Sequence, residues 1–158
     1  MHSRIIELGN APILPDDRMG ECSVPEWFYH SIADYTDTET DRDEDLKWFL
    51  EIVAHIVDVA EDGESFTFKP NAKKKYFHRQ YCAFLDKARE LTGISIEAFC
   101  AETPYDIGMA MYKLNEAYQD KFSFYIYYQD KLKTLDEWIR ETDLSESFYF
   151  GGTLDYHF

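Results

Sequence analysis

The chain has 158 residues, 45% of them hydrophobic and 17% aromatic, which is enough apolar material for the core of one ordinary domain. Its 31 acids against 16 Lys and Arg give a net charge of −15, which repels nucleic acid phosphates and anionic membrane surfaces. This charge argues against direct nucleic acid binding and against membrane association. With no apolar run of 18 residues and no secretory signal, we predict a cytoplasmic protein.

The first 23 residues predict a strand and an extended loop ahead of the main domain. Residues 3–8 (SRIIEL) suit a short strand, and residues 9–23 hold two prolines and two glycines among few apolar residues. Ser23, Pro25 and Glu26 then mark a helix start, and the helix covers about 25–34. We therefore assign residues 1–23 to an N-terminal strand and loop, and residues 24–158 to a single domain.

The middle of the chain predicts two longer helices and a strand. Asp41 caps a helix that continues to about residue 61, and SFTFK at 65–69 alternates like a half-buried strand. Asn71 caps the next helix, which runs to about Leu91. The helix after Asp41 has apolar residues at helical spacing on a face that must be buried: Leu46, Phe49, Leu50, Val53, Val57 and Ala60.

The last third predicts further helices and strands. Ser95 and the pair Thr103 and Pro104 mark the starts of a short helix near 96–101 and a longer one near 104–119, although ISIEAFC is also compatible with a strand. FSFYIYY (122–128) is typical of a strand, Thr134 caps a helix to about Glu141, and Gly151-Gly152 indicates a C-terminal β-hairpin. Mixed elements without regular βαβ alternation predict a compact α+β domain with several helices on a small, mostly antiparallel sheet.

The chain carries no recognisable metal or catalytic motif. Started at Asp37, the calcium-loop pattern has Arg42 where the turn needs glycine and Trp48 where it needs glutamate. HExxH, GxSxG, SxxK and P-loop patterns are also missing from the sequence. We predict no metal site and no cofactor, and an enzyme is the less favoured hypothesis. An enzyme of unrecognised type would place His30, His55 or His78 beside an acid in a deep pocket.

Two further features favour structural explanations. The order of helices in RELTGISIEAFCAETPYDIGMAMYKL is compatible with a helix-turn-helix, but its second main helix has Lys113 as its one base, whereas a reader of phosphates needs clustered bases. The three cysteines, Cys22, Cys82 and Cys100, are widely separated and form no CxxC pair. We expect reduced thiols buried in the packing.

The segment 34–45 (DYTDTETDRDED) is the most unusual stretch of the chain. Seven of its twelve residues are acids, and residues 34–64 together contain twelve acids and two bases. An extended strand over 37–45 would set alternate acids about 6.6 Å apart along one face, comparable with phosphate spacing in nucleic acid. A helix starting near Asp41 would instead use its acids to favour the positive end of the helix dipole, leaving a solvated loop before it.

Residues 69–79 (KPNAKKKYFHR) have the opposite composition, with five bases and no acid. Lys73, Lys74 and Lys75 fall in the first turn of a helix, where the dipole disfavours positive charge, so an anionic neighbour is expected. We therefore assign Lys73, Lys74, Lys75 and Arg79 to self-association or anion contact. The acidic segment of the same chain or of a second copy in a homodimer would serve as that neighbour.

The charge distribution favours an acidic binding protein that imitates phosphate and blocks a basic, nucleic-acid-binding partner. Antirestriction and anti-CRISPR inhibitors belong to this functional class of DNA mimics, although no motif ties the chain to a named family. A homo-oligomeric structural or regulatory domain with paired acidic and basic segments is the alternative. The predicted partner-binding residues are Asp34, Asp37, Glu39, Asp41, Asp43, Glu44, Asp45, Trp48 and Glu51.

Overall fold

Helices and strands are interspersed along the chain, as the mixed sequence patterns predict. The computed structural model describes residues 1–101 and 105–158. The strands are β1 (His2–Gly9), β2 (Tyr35–Asp37), β3 (Val57–Val59), β4 (Ser65–Phe68), β5 (Tyr125–Tyr128), β6 (Lys131–Thr134) and β7 (Ser147–His157). The α-helices in the described residues are α1 (Glu26–Ser31), α2 (Arg42–Val53), α3 (Ala72–Thr92), α4 (Ile96–Phe99), α5 (Tyr105–Tyr118) and α6 (Leu135–Glu141), and two short 3-10 helices cover Pro15–Asp17 and Glu21–Ser23.

All seven strands join one sheet in the order β3-β4-β7-β1-β5-β6, with β2 also paired to β7. The pairing of β1 with β5 is parallel, and every other pairing is antiparallel. The prediction of an α+β fold with a mostly antiparallel sheet is confirmed. Strand β1 pairs with β7 on one edge and with β5 on the other, so the first residues of the chain form part of the sheet interior.

The C-terminal segment, predicted as a hairpin, is one strand of eleven residues. Gly151 and Gly152 lie inside it because the carboxylate of Glu7 occupies the space that side chains would need. Glu7 Oε2 accepts hydrogen bonds from Gly152 N at 2.7 Å and from Met19 N at 2.9 Å, and a Cβ on Gly151 would lie 2.7 Å from Glu7 Cγ. The two glycines therefore admit a buried carboxylate instead of forming a turn.

Helix α2 ends at Val53, earlier than the predicted boundary near residue 61. The residues that follow turn back and form β3, in which Val57 lies opposite Phe68 and Val59 opposite Phe66. Asp62 and Gly63 make the connecting turn, and Gly63 adopts a φ of 74°. The apolar spacing past Val53 fits a helix, but pairing with β4 supplies the backbone partners in the folded chain.

The chain divides into two compact units, which we call the sheet unit (residues 1–73 and 121–158) and the helical unit (residues 74–120). The sheet unit contains the whole sheet, α1, α2 and α6. Its core consists of fully buried side chains, the largest being Trp138, Tyr156, Phe28, Phe49, Phe66, Phe148 and Phe150.

The helical unit contains most of α3 together with α4 and α5. Gln80 Nε2 donates to Tyr118 O at 2.8 Å and the rings of Phe84 and Tyr118 lie 6.0 Å apart, so the middle of α3 is next to the end of α5. Ser95 caps α4 through a bond from Ala98 N. The predicted start signal at 103–104 lies outside the described residues. None of the described helices has the length and apolar composition needed to span a bilayer.

Candidate partner-binding surface

Helix α2 begins in the middle of the acidic segment because Asp41 caps it. Asp41 Oδ1 accepts hydrogen bonds from Asp43 N at 3.0 Å and from Glu44 N at 3.2 Å. The cap and the acids of the first turn stabilise the positive end of the helix. The alternative of one extended strand over residues 37–45 is therefore wrong, and its helical alternative is confirmed for residues 41–45.

The residues before the cap follow the sheet edge. In β2, Asp37 lies opposite Asp155 of β7, and Asp37 Oδ1 accepts a bond from Glu39 N at 2.8 Å. Thr40 Oγ1 lies 3.1 Å from Thr153 Oγ1. The loop between β2 and α2 is thus fastened at both ends.

Asp45 is the member of the acidic segment that does not reach solvent. It is 4% exposed and binds the guanidinium of Arg4, which also binds Asp155. Arg4 Cζ lies 5.5 Å from the centroid of the Trp48 ring. Asp45 therefore holds α2 against the sheet, and a partner cannot contact it directly.

Arg42, the single base of the acidic segment, points toward the sheet. Its Nε donates to Gly151 O at 2.8 Å and its Nη2 donates to Phe150 O at 3.3 Å, in the part of the β7 edge between the β2 and β4 pairings. Nη2 also binds Glu64 at 2.8 Å. Arg42 thus completes the hydrogen bonding of a strand edge and leaves most neighbouring acids uncompensated.

Four exposed acids remain around the start of α2, and we call them the acidic surface: Glu39, Asp41, Asp43 and Glu44. The side chain of Asp43 is 93% exposed and lies 3.7 Å from Arg42 Nη1. Local backbone bonds hold the segment in place, so the carboxylates project from a defined framework. Such a framework limits the conformational freedom that a partner would have to remove on binding.

A shallow groove of about 600 Å³, which we call the α2 groove, continues from this surface. Leu46, Leu50 and Ala54 supply its apolar part, and the acids Asp43, Glu51, Asp62 and Glu64 line it together with Arg42, Lys47 and Gly63. Glu51, predicted to bind a partner, is thus beside a site suited to an apolar side chain next to a positive charge.

The other predicted partner-binding residues occupy separate positions. Asp34 is exposed and lies 3.1 Å from His157 Nδ1, while Trp48 is 40% exposed and packs its ring edge-on against Phe124. Trp48 therefore has an exposed part that could contact a partner, in addition to its contacts within the fold.

Two histidines that the sequence did not single out lie beside carboxylates on the sheet. His2 Nδ1 is 2.7 Å from Asp155, and the ring of His157 stacks on Tyr35 with centroids 5.4 Å apart. These neighbours come from opposite ends of the chain, and only the register of β1, β2 and β7 brings them together. The sequence did not reveal these neighbours because it does not show which strands pair.

The basic residues predicted for self-association or anion contact differ in their surroundings. Lys73 Nζ donates to the carbonyl of Arg140 at 2.8 Å. Lys74, Lys75 and Arg79 are exposed and make no ion pair with any residue the structure describes. Within the sheet unit, Lys69, which precedes these basic residues, lies 3.6 Å from Asp58 of β3.

The chemical alternatives can be compared with the same geometry. Within residues 1–101 and 105–158, no group of three or more His, Cys, Asp and Glu side chains could hold a metal ion. His30 is 3.4 Å from Glu26, and both side chains are largely exposed. The expectation of buried cysteines is wrong, since all three are exposed: Cys22 lies in a short 3-10 helix, Cys82 in α3, and Cys100 directly after α4.

Comparison with known proteins returns no match: neither a family model nor a curated protein nor a solved structure is significantly similar to the chain.

Proposed function

We propose that the protein is a binding protein whose acidic surface occupies the phosphate-binding surface of a basic, nucleic-acid-binding partner. The observation that carries this proposal is the opposite placement of two neighbouring charge types. Arg42 is directed into the sheet edge, whereas the four carboxylates around it face solvent. The exposed surface at the start of α2 is therefore strongly negative, in addition to the stabilisation that its acids give to the helix end.

The mechanism is competition with nucleic acid. Carboxylates accept charge-assisted hydrogen bonds from Arg and Lys side chains that otherwise bind phosphate oxygens. The α2 groove would receive an apolar side chain next to those bases, with Leu46 and Leu50 as its contacts. A partner held in this way has its basic surface covered and loses nucleic acid.

The test is capture from a lysate with three immobilised proteins. The first is wild type, and the second carries E39Q, D41N, D43N and E44Q. Asparagine caps helices as well as aspartate, so D41N keeps α2 intact. The third is a matched control, D16N with D17N, E21Q and E26Q, which removes four charges from exposed positions elsewhere in the sheet unit.

We expect wild type and control to retain the same nucleic-acid-binding protein and the acidic-surface variant to lose it. Duplex DNA and high salt should both release the captured protein, because the contact replaces phosphate contacts. Equal retention by all three proteins, or a captured protein that still binds DNA, would contradict the proposal.

A further inference from the structure

The helical unit exposes large apolar side chains along its described length. Seven are between 51% and 71% exposed: Tyr81, Ile96, Phe99, Tyr105, Met111, Tyr112 and Tyr118. No described residue of this unit is buried. A unit of this size gains little stability without a covered apolar face, so its surface is that of an interface.

Helix α5 shows most clearly that a second face is uncovered. Tyr118 contacts Phe84 of α3, which identifies the side that packs within the unit. Tyr105, Met109 and Tyr112 are four and three residues apart and share another side, on which both tyrosines are more than half exposed. A helix with apolar residues on both sides belongs inside a bundle.

The available area suits a pair of proteins. Aromatic side chains bury about 150–250 Å² each, so seven large side chains that are more than half exposed offer on the order of 800 Å². One partner contributes about 800 Å² to an interface of standard size. This area belongs to the helical unit as a whole, because Tyr118 and Met111 lie on a different side of α5 from Tyr105 and Tyr112. The unit thus exposes as much apolar area as one copy contributes to a stable dimer.

The charge of the helical unit favours a second copy over a basic partner. The helical unit has six Lys and Arg against seven Asp and Glu, a net charge of −1, whereas the sheet unit has a net charge of −14. A basic partner is attracted to the sheet unit. Two helical units repel each other only weakly, and the repulsion between two copies comes almost entirely from their sheet units.

The charges are also distributed unevenly along the unit. Lys74, Lys75 and Arg79 lie near the beginning of α3, and the end of α5 on the same side of the unit adds two acids, so this end has an excess of one positive charge. Glu97 and Asp106 lie at the opposite end, on α4 and on the first turn of α5. None of these five side chains has an ion-pair partner among residues 1–101 and 105–158.

We propose that two copies of this chain pair through their helical units in antiparallel orientation. A two-fold axis then places the basic end of each unit on the acidic end of the other, which satisfies both ends at once. Tyr105 and Tyr112 of each copy form the centre of the contact, and the two helical hairpins together make a four-helix arrangement.

The first test measures the mass of the intact chain by sedimentation from about 1 to about 100 µM, a range that detects micromolar dissociation constants. Wild type should have twice the mass of one chain. Y105Q with Y112Q should raise the dissociation constant at least about tenfold. The matched control, L14Q with W27Q, changes two exposed apolar side chains of the sheet unit and should leave the dimer unchanged.

Charge exchange tests the orientation. K74E with K75E and R79E should weaken the dimer, and adding E97K and D106K to the same chain should restore it, because both ends then change sign together. Helix content is checked by circular dichroism. A monomeric wild type, an unaffected Y105Q/Y112Q dimer or a charge exchange without rescue would overturn the proposal, whatever the acidic surface binds.

Discussion

The sheet unit and the helical unit contain similar apolar side chains, yet only the sheet unit encloses them. In the sheet unit, residues from both ends of the chain meet in one core, as when Ile5 packs with Phe28 and Tyr156. In the helical unit, three helices close in sequence leave their tyrosines and methionines at the surface. Burial here follows from contacts between distant segments, and the amount of apolar sequence does not decide it.

The two units also differ in net charge: the unit with the buried core has the larger charge, and the unit with the exposed apolar side chains is almost neutral. The sheet unit has a complete core and a net charge of −14, while the helical unit has exposed apolar side chains and a net charge of −1. The first combination favours selective, salt-sensitive binding of a basic partner, and the second favours apolar self-association. Two interfaces can thus coexist on one chain.

The largest difference should appear when one aromatic side chain is removed from each unit. Phe148 is fully buried and its ring centroid lies 5.0 Å from that of Trp138 and 5.6 Å from that of Phe66. F148A should lower the free energy of unfolding by about 3–5 kcal/mol. Y81A removes a side chain that is 59% exposed and should change the free energy of unfolding by less than about 0.5 kcal/mol. Urea titrations at low protein concentration measure both changes. Equal losses would contradict the contrast in burial.

Glycine-to-alanine substitutions should have opposite effects on the stability of the two units. G151A places a Cβ against the buried Glu7 side chain and should lower the free energy of unfolding by about 1–3 kcal/mol. Gly108 in α5 has open space around it, and alanine is the better helix former, so G108A should raise helix stability by about 0.5–1 kcal/mol. Thermal unfolding followed by circular dichroism measures both changes, and a stabilising G151A would refute the role of the glycine.

A third contrast lies between two acids of α2 that are two residues apart. D45N weakens a buried bond to Arg4, which keeps Asp155 as a second partner, so we expect a loss of about 2 kcal/mol. D43N changes an exposed side chain and should cost less than about 0.5 kcal/mol. Urea unfolding at pH 7 compares the two, and the assignment of Asp45 to the fold fails if D43N is the more harmful change.

The smallest effect on the dimer is expected from a change in salt concentration. Raising salt from about 0.1 to about 1 M shortens the Debye length from about 10 to about 3 Å. Capture of a basic partner should be lost, whereas the dimer should keep most of its strength because apolar contacts dominate it. Sedimentation and capture at both salt concentrations measure this, and a dimer that dissociates in high salt would point to charge as its main cause.

The sequence predicted those elements whose signals are local. Thr134 caps α6 as expected, with Thr134 Oγ1 accepting from Glu137 N at 3.2 Å, and Asp41 caps α2. SFTF forms β4 as expected, and residues 3–8 lie within β1. In each case one or two neighbouring residues decide the conformation, so a single sequence contains the information.

What the sequence could not provide depends on distant partners. Val57–Val59 becomes a strand because β4 pairs with it, and Gly151 avoids a turn because Glu7 occupies its face. The acidic segment contained seven similar carboxylates, yet Asp45 is buried against Arg4 while Asp43 faces solvent. The spacing of the acids does not distinguish them, because Arg4 is brought next to Asp45 by the pairing of β1 with β7.

Strand β7 has a consequence for how the protein is made. It pairs with β1, β2 and β4, so these three earlier strands cannot complete the sheet until residues 147–157 have left the ribosome. The helices of the helical unit use contacts within 47 residues and can begin to form during synthesis, although they gain a covered apolar face only on pairing, while the sheet unit combines contacts of long sequence separation. The apolar helices would thus be displayed on nascent chains first, and two adjacent chains on one messenger could pair before either sheet is complete.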